Sequence, residues 1–124
     1  MVGNYNVHPV VAVKDLEQAR QFYEDILGLE VAEENSQEIN YHSGDTYISV
    51  YLSGFAGTNQ ATSATWEVEG MEDVVEGLLA AGVTFEHYEM EGISHEGPIH
   101  VMKGMKAAWF KDPDGNILCV HEDS

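Results

Sequence analysis

Lys106-Ala107-Ala108-Trp109-Phe110-Lys111-Asp112-Pro113-Asp114-Gly115-Asn116-Ile117-Leu118-Cys119-Val120-His121 decides how the rest of this chain is read. It divides into two strands around a tight turn. In Asp112-Pro113-Asp114-Gly115 the proline ring presets φ at roughly −65°, Asp114 can bond its own backbone, and Gly115 accepts a positive φ. The runs on either side are aromatic and branched, with the period near two that a strand requires.

Working outward, Tyr5 to Lys14 reads as a strand, with Pro9 near its start as suits an edge. Asp15 is placed as an N-cap, and Gln18 can complete a capping box. Leu16, Ala19, Phe22, Tyr23, Ile26 and Leu27 recur at three and four, giving a helix with one apolar face that Gly28 closes. Three short strands follow at Leu29 to Glu33, Glu38 to His42 and Thr46 to Leu52. Ser53 to Thr62 is rich in Gly, Ser and Thr and reads as a linker. Then the pattern starts again: Val13-Lys14-Asp15-Leu16-Glu17 is echoed 55 residues later by Val68-Glu69-Gly70-Met71-Glu72. A helix over Met71 to Ala81 carries Gly77, which costs roughly 1 kcal/mol against Ala and suggests close packing. A strand over Thr84 to Tyr88 and the opening hairpin complete a second unit. Residues 89–104 are left over, and a loop of that length with Met90, Ile93, Ile99 and Met102 reads as a flap over a pocket.

The run from Ala108 to Leu118 closely resembles the last hairpin of the vicinal oxygen chelate superfamily, which includes glyoxalase I, extradiol dioxygenases, fosfomycin-resistance enzymes and bleomycin-binding proteins. The resemblance extends over nearly the whole chain. It implies an α+β fold of paired βαβββ modules forming an open curved sheet around a cleft. The chain would be a single glyoxalase-like domain over residues 1–124, with module one at 5–53, a linker at 54–62 and module two at 63–122. In metal-dependent members one ligand is a histidine seven residues before the helix-start aspartate, and His8 stands there. The other three ligand positions fall on Ser63, near Ser49, and on Cys119, where those members carry a glutamate. With one fitting ligand, the resemblance implies no cofactor; a divalent metal is the alternative, and glyoxalase I activity is not expected.

Composition narrows the function classes. The chain has 124 residues, long enough for one real core. Five Lys+Arg against 22 Asp+Glu give a formal net charge of −17, which repels nucleic acid. Lys103, Lys106 and Lys111 gather near one strand as a local positive spot where an anion could dock. A single cysteine excludes an internal disulfide, and no apolar run is long enough to span a membrane, so the expected location is cytoplasmic.

Strand alternation sorts side chains into a helix-facing core (Val11, Val13, Ala64, Trp66, Val68, Phe110, Leu118) and a pocket wall. The candidate ligand-binding residues on that wall are Tyr47, Ser49, Tyr51, Ser63, Thr65, Trp109, Cys119 and His121, with His8 and Glu67 as an acid/base pair if the protein is catalytic. His42, His87, His95 and His100 show no metal-binding spacing. The expected function is a small-molecule binding protein of the glyoxalase/bleomycin-resistance type. A lyase, isomerase or dioxygenase-like enzyme and a dimeric scaffold with a vestigial cleft are the alternatives. Open strand edges also lead us to expect a homodimer.

Overall fold

Strand β1 (Val10–Val13) buries Val11 and Val13 and leaves Val10 exposed, as the two-residue period of a pleated strand requires. It is shorter than the sequence suggests, starting only after Pro9. Asp15 then caps helix α1 (Leu16–Arg20), its carboxylate accepting the N–H groups of Glu17 at 2.8 Å and Gln18 at 3.3 Å. The helix continues as a π-helical stretch (Gln21–Ile26) in which the adjacent Phe22 and Tyr23 are both buried. Strands β2 (Glu30–Glu34), β3 (Glu38–Ser43) and β4 (Thr46–Leu52) complete a four-stranded sheet in the order β1-β4-β3-β2.

The second half repeats the plan. Strand β5 (Thr62–Glu67) and helix α2 (Met71–Ala80) are followed by β6 (Ser94–Glu96), β7 (Ile99–Met102), β8 (Met105–Lys111) and β9 (Ile117–Asp123), in a five-stranded sheet ordered β5-β9-β8-β7-β6. In each half the first strand lies parallel to the last. This computed structural model describes all 124 residues. Both sheets are open, and one continuous core draws Val11, Tyr23, Tyr41 and Val50 from the first half and Met71, Phe110, Leu118 and Val120 from the second. Neither half therefore closes a core alone. No helix is long and apolar enough to cross a membrane.

Three expectations are corrected. Residues 89–104 are not a flap: they supply the β6–β7 hairpin, and β7 pairs with β8. Thr84 to Tyr88 is not a strand; it makes one isolated bridge, Phe85 to Phe110. The reason lies in Tyr88, whose N–H donates to His100 Nε2 at 2.9 Å and whose carbonyl accepts from His95 Nε2 at 3.1 Å. Side chains take up the backbone groups that a ladder would have used. Finally, a Cβ added at Gly77 would meet nothing within 4 Å, so close packing does not explain that glycine.

The decisive turn is a junction between the two halves. The Asp112 carboxylate is buried, 5% exposed. Its Oδ1 accepts the N–H groups of Asp114 (3.0 Å) and Asn116 (2.9 Å), and its Oδ2 accepts from the Tyr23 hydroxyl (2.7 Å) and Asn116 Nδ2 (2.8 Å). Asn116 Nδ2 also donates to the Ala12 carbonyl at 2.7 Å. Asp112, rather than Asp114, thus bonds the turn backbone; Asp114 accepts the Lys14 N–H instead, at 3.3 Å. Gly57, at φ 71°, packs so tightly on the Asp114 carbonyl oxygen that a Cβ there would collide with it.

Candidate functional site

On module one, the face turned away from the core carries a cross-strand row Val10–Ser49–Asn40–Glu33. Ser49 Oγ donates to Asn40 Oδ1 at 2.6 Å. Tyr47 lies beside both His8 and His42, with ring centroids 5.3 and 5.0 Å apart. These residues line a cleft of about 520 Å³, together with Ala32 and Glu33. Tyr51 shares the strand face, register-paired with Ala12 and Glu38, and is exposed.

On module two, the register aligns Glu67, His121, Ala107, His100 and His95 across all five strands, and beside them Thr65, Cys119 and Trp109. His121 Nδ1 lies 2.7 Å from Thr65 Oγ1, and its Nε2 is 4.0 Å from Asp123. With Glu67 these make a group whose ligand atoms lie within 4.8 Å of one another. Cys119 is buried, its thiol donates to the Val120 carbonyl at 3.5 Å, and burial pushes its pKa up. Both the burial and the raised pKa favour the neutral thiol form.

Trp109 is half-buried and held on three sides. Its Nε1 donates to Thr62 Oγ1 at 3.1 Å, and the rings of Tyr88 and His100 meet it edge-on at 5.5 and 4.9 Å. It borders a groove of about 940 Å³ between the 57–62 linker and residues 86–90.

The expected wall is therefore divided. His8, Tyr47 and Ser49 line the module-one cleft; Tyr47, Thr65 and Glu67 line a second, of about 360 Å³, between the modules; Trp109 borders the third. Ser63 reaches only Asn59, at 3.4 Å. No hydrogen bond or ion pair joins His8 to Glu67, and they line different clefts.

His100 is the residue that sequence reasoning missed. It is fully buried, with Nδ1 donating to the Pro98 carbonyl at 3.1 Å while Nε2 accepts from Tyr88 N–H. Both nitrogens are used by backbone, which fixes the neutral tautomer. Burial, reinforced by His95, lowers its pKa. The alternation Ile99-His100-Val101 after Gly97-Pro98 was the available signal.

Two of the three lysines of the expected positive spot are matched by acids, while Lys103 is exposed and makes no ion pair. Lys106 Nζ pairs with Glu72 at 2.8 Å and Lys111 Nζ with Glu86 at 3.3 Å. Arg20 is enclosed by Glu24 (3.0 Å) and Glu34 (2.8 Å). These cations are matched, so the surface around the clefts stays acidic.

The four positions where metal-dependent relatives hold their ion do not fit one here. They offer one imidazole, a Ser49 hydroxyl already donated to Asn40, a Ser63 hydroxyl and a buried protonated thiol. A divalent ion needs at least three good donors.

A family model described as the glyoxalase/bleomycin resistance protein/dioxygenase superfamily matches residues 6–120. Solved structures share the fold at low identity. A glyoxalase family protein from Enterococcus faecalis has 22% identity and a TM-score of 0.75 over 98% of this chain and 100% of that one. TnmS3, an antibiotic binding protein from Streptomyces sp. CB03234, has 19% identity and a TM-score of 0.74 over 100% and 99%. A bleomycin resistance determinant encoded on the transposon Tn5 has 16% identity and a TM-score of 0.74 over 98% and 99%.

Proposed function

The chain belongs to the glyoxalase/bleomycin resistance protein/dioxygenase superfamily, and from that premise we propose that it is a small-molecule binding protein that works without a metal at the superfamily's usual position. The observation that carries this reading is Trp109, an aromatic face fixed by Thr62, Tyr88 and His100 at the border of a groove of about 940 Å³. A clamped aromatic ring buries a flat guest with little loss of side-chain entropy, and the volume suits a drug-sized molecule. That two proteins of similar fold are an antibiotic binding protein and a bleomycin resistance determinant supports the same reading.

The guest is a compact molecule with an aromatic or conjugated part. The pairing of Lys106 and Lys111 with acids and the net charge of −17 favour a neutral or cationic one over an anion. An acid/base enzyme built on His8 and Glu67 has less support, because the two line different clefts. We extend the proposal to a homodimer, since Tyr5 (77% exposed), Val7 (88%) and Phe55 (80%) leave apolar surface uncovered around open sheet edges. Light scattering that finds only a 13.7 kDa species would overturn the dimer.

Tryptophan fluorescence tests the binding site. The other tryptophan, Trp66, donates to Ser43 at 2.9 Å and lies against the core. In Trp66→Phe the emission then reports Trp109 alone. Titration with a panel of flat neutral and cationic aromatics is expected to quench it saturably, and Tyr88→Ala should weaken binding. Binding that persists unchanged in Trp109→Ala, followed by calorimetry, would place the guest elsewhere.

A further inference from the structure

At one side of the Trp109 groove, the stretch that replaces the expected strand brings His87 and Glu89 together with His95, one ligand atom of each lying within 4.8 Å of the others. We propose that these three residues form a binding site for a divalent transition-metal ion of the zinc or nickel class, with a fourth position left for water. The site is separate from the superfamily's metal position; His87 and Glu89 also line the groove beside Trp109, so the ion would lie in the wall of that groove.

The donor set suits such an ion. Two imidazoles and one carboxylate are a known three-ligand arrangement for zinc, and imidazole favours Zn²⁺ and Ni²⁺ over Mg²⁺ or Ca²⁺. The second group, Glu67, His121 and Asp123, has only one imidazole.

Geometry supplies a second argument. The Tyr88 carbonyl can only accept, so His95 Nε2 carries the proton it donates and Nδ1 keeps its lone pair. A hydrogen bond from the far nitrogen to a backbone carbonyl is how metal-binding histidines are usually oriented. The buried His100 ring buttresses His95 edge-on at 4.6 Å. His95 is therefore a pre-set ligand, while His87 and Glu89 are exposed and free to adjust.

Little movement is needed. His87 Nε2 and Glu89 Oε1 are 2.7 Å apart and share a proton in the place an ion would take. Ligand atoms around a tetrahedral zinc are separated by about 3.4 Å, so the wider pairs must draw in by about an ångström. The His87 and His95 rings stack at 4.1 Å. Two imidazoles on one such ion have centroids about 5 Å apart, so the rings must part slightly as their nitrogens converge.

The test is titration of chelator-stripped protein with ZnCl2 and NiCl2 by calorimetry, with CoCl2 as an optical probe of tetrahedral geometry. One ion per chain is expected, together with cobalt d–d absorption. Affinity should fall at least tenfold in both His87→Gln and Glu89→Gln, two exposed positions whose variants keep the fold, and should be unchanged in His121→Ala and His8→Ala. No saturable uptake, uptake indifferent to the first two variants, or loss in His121→Ala or His8→Ala would each overturn the proposal.

Discussion

Tyr23→Phe removes one hydroxyl, and its cost measures the junction at Asp112 directly. That hydroxyl donates at 2.7 Å to a buried carboxylate oxygen, and burial together with Asp112 raises the phenol pKa far above its ordinary value. A hydrogen bond to a charged group contributes about 1.5–3 kcal/mol, and loss of the hydroxyl leaves no cavity large enough to add to this. Asp112→Ala does more. It strands the Tyr23 hydroxyl, Asn116 Nδ2 and the Asp114 and Asn116 N–H groups together. Removing one member of a buried charged network costs about 3–5 kcal/mol, a large part of the 5–15 kcal/mol available to a domain of this kind. The double variant should be less destabilised than the sum of the singles by about 1.5–3 kcal/mol, because both remove the same bond. Urea unfolding of all four proteins completes the cycle, with m expected to stay constant. If Tyr23→Phe costs less than about 0.5 kcal/mol and adds independently to Asp112→Ala, the turn does not couple the halves as described.

Two glycines should respond oppositely. Gly57→Ala, at positive φ and against the Asp114 carbonyl, should cost about 3 kcal/mol or more, whereas Gly77→Ala, in open space on α2, should stabilise by about 0.5–1 kcal/mol. Thermal melts giving the same sign for both would contradict this. His100 should make stability sensitive to acid. Its native pKa lies below the ordinary 6.5, so the unfolded chain binds the proton first; its contribution is complete above 6.5 and is lost as pH falls towards the native value. Urea midpoints at roughly pH 7.5 and 5.5 should therefore differ more in wild type than in His100→Gln, which can still accept from Tyr88. Cys119 should resist thiol reagents in the native state and react only as fast as the chain opens; immediate modification in buffer would show its burial to be misread.

What the sequence disclosed was local. Asp15 caps its helix because the acceptor and the two N–H groups lie within three residues. Val11, Val13, Phe110 and Leu118 face the core because alternation is a property of neighbouring residues. The β6–β7 hairpin was concealed because Gly92, Gly97, Pro98 and Gly104 break its strands into pieces that resemble loop. The site was legible only by face. Trp109 and Thr65 lie on the side that alternation predicts, but which cleft each one borders depends on how the two sheets lie beside one another. Ion pairs such as Lys106–Glu72 join residues 34 apart, which no periodicity can report.

Strand β9 lies between β5 and β8, although it follows both of them along the chain. On the ribosome β5 ends at Glu67, while its partner begins at Ile117, 50 residues later. At 5–20 residues per second that interval is roughly 3–10 s. During it the first sheet also lacks Asn116, whose side chain holds the Ala12 carbonyl. The nascent chain thus carries an uncovered strand edge and an unfinished core until β9 emerges. Deletion of β9 should therefore abolish folding of the first sheet as well as the second, rather than leave a stable first half.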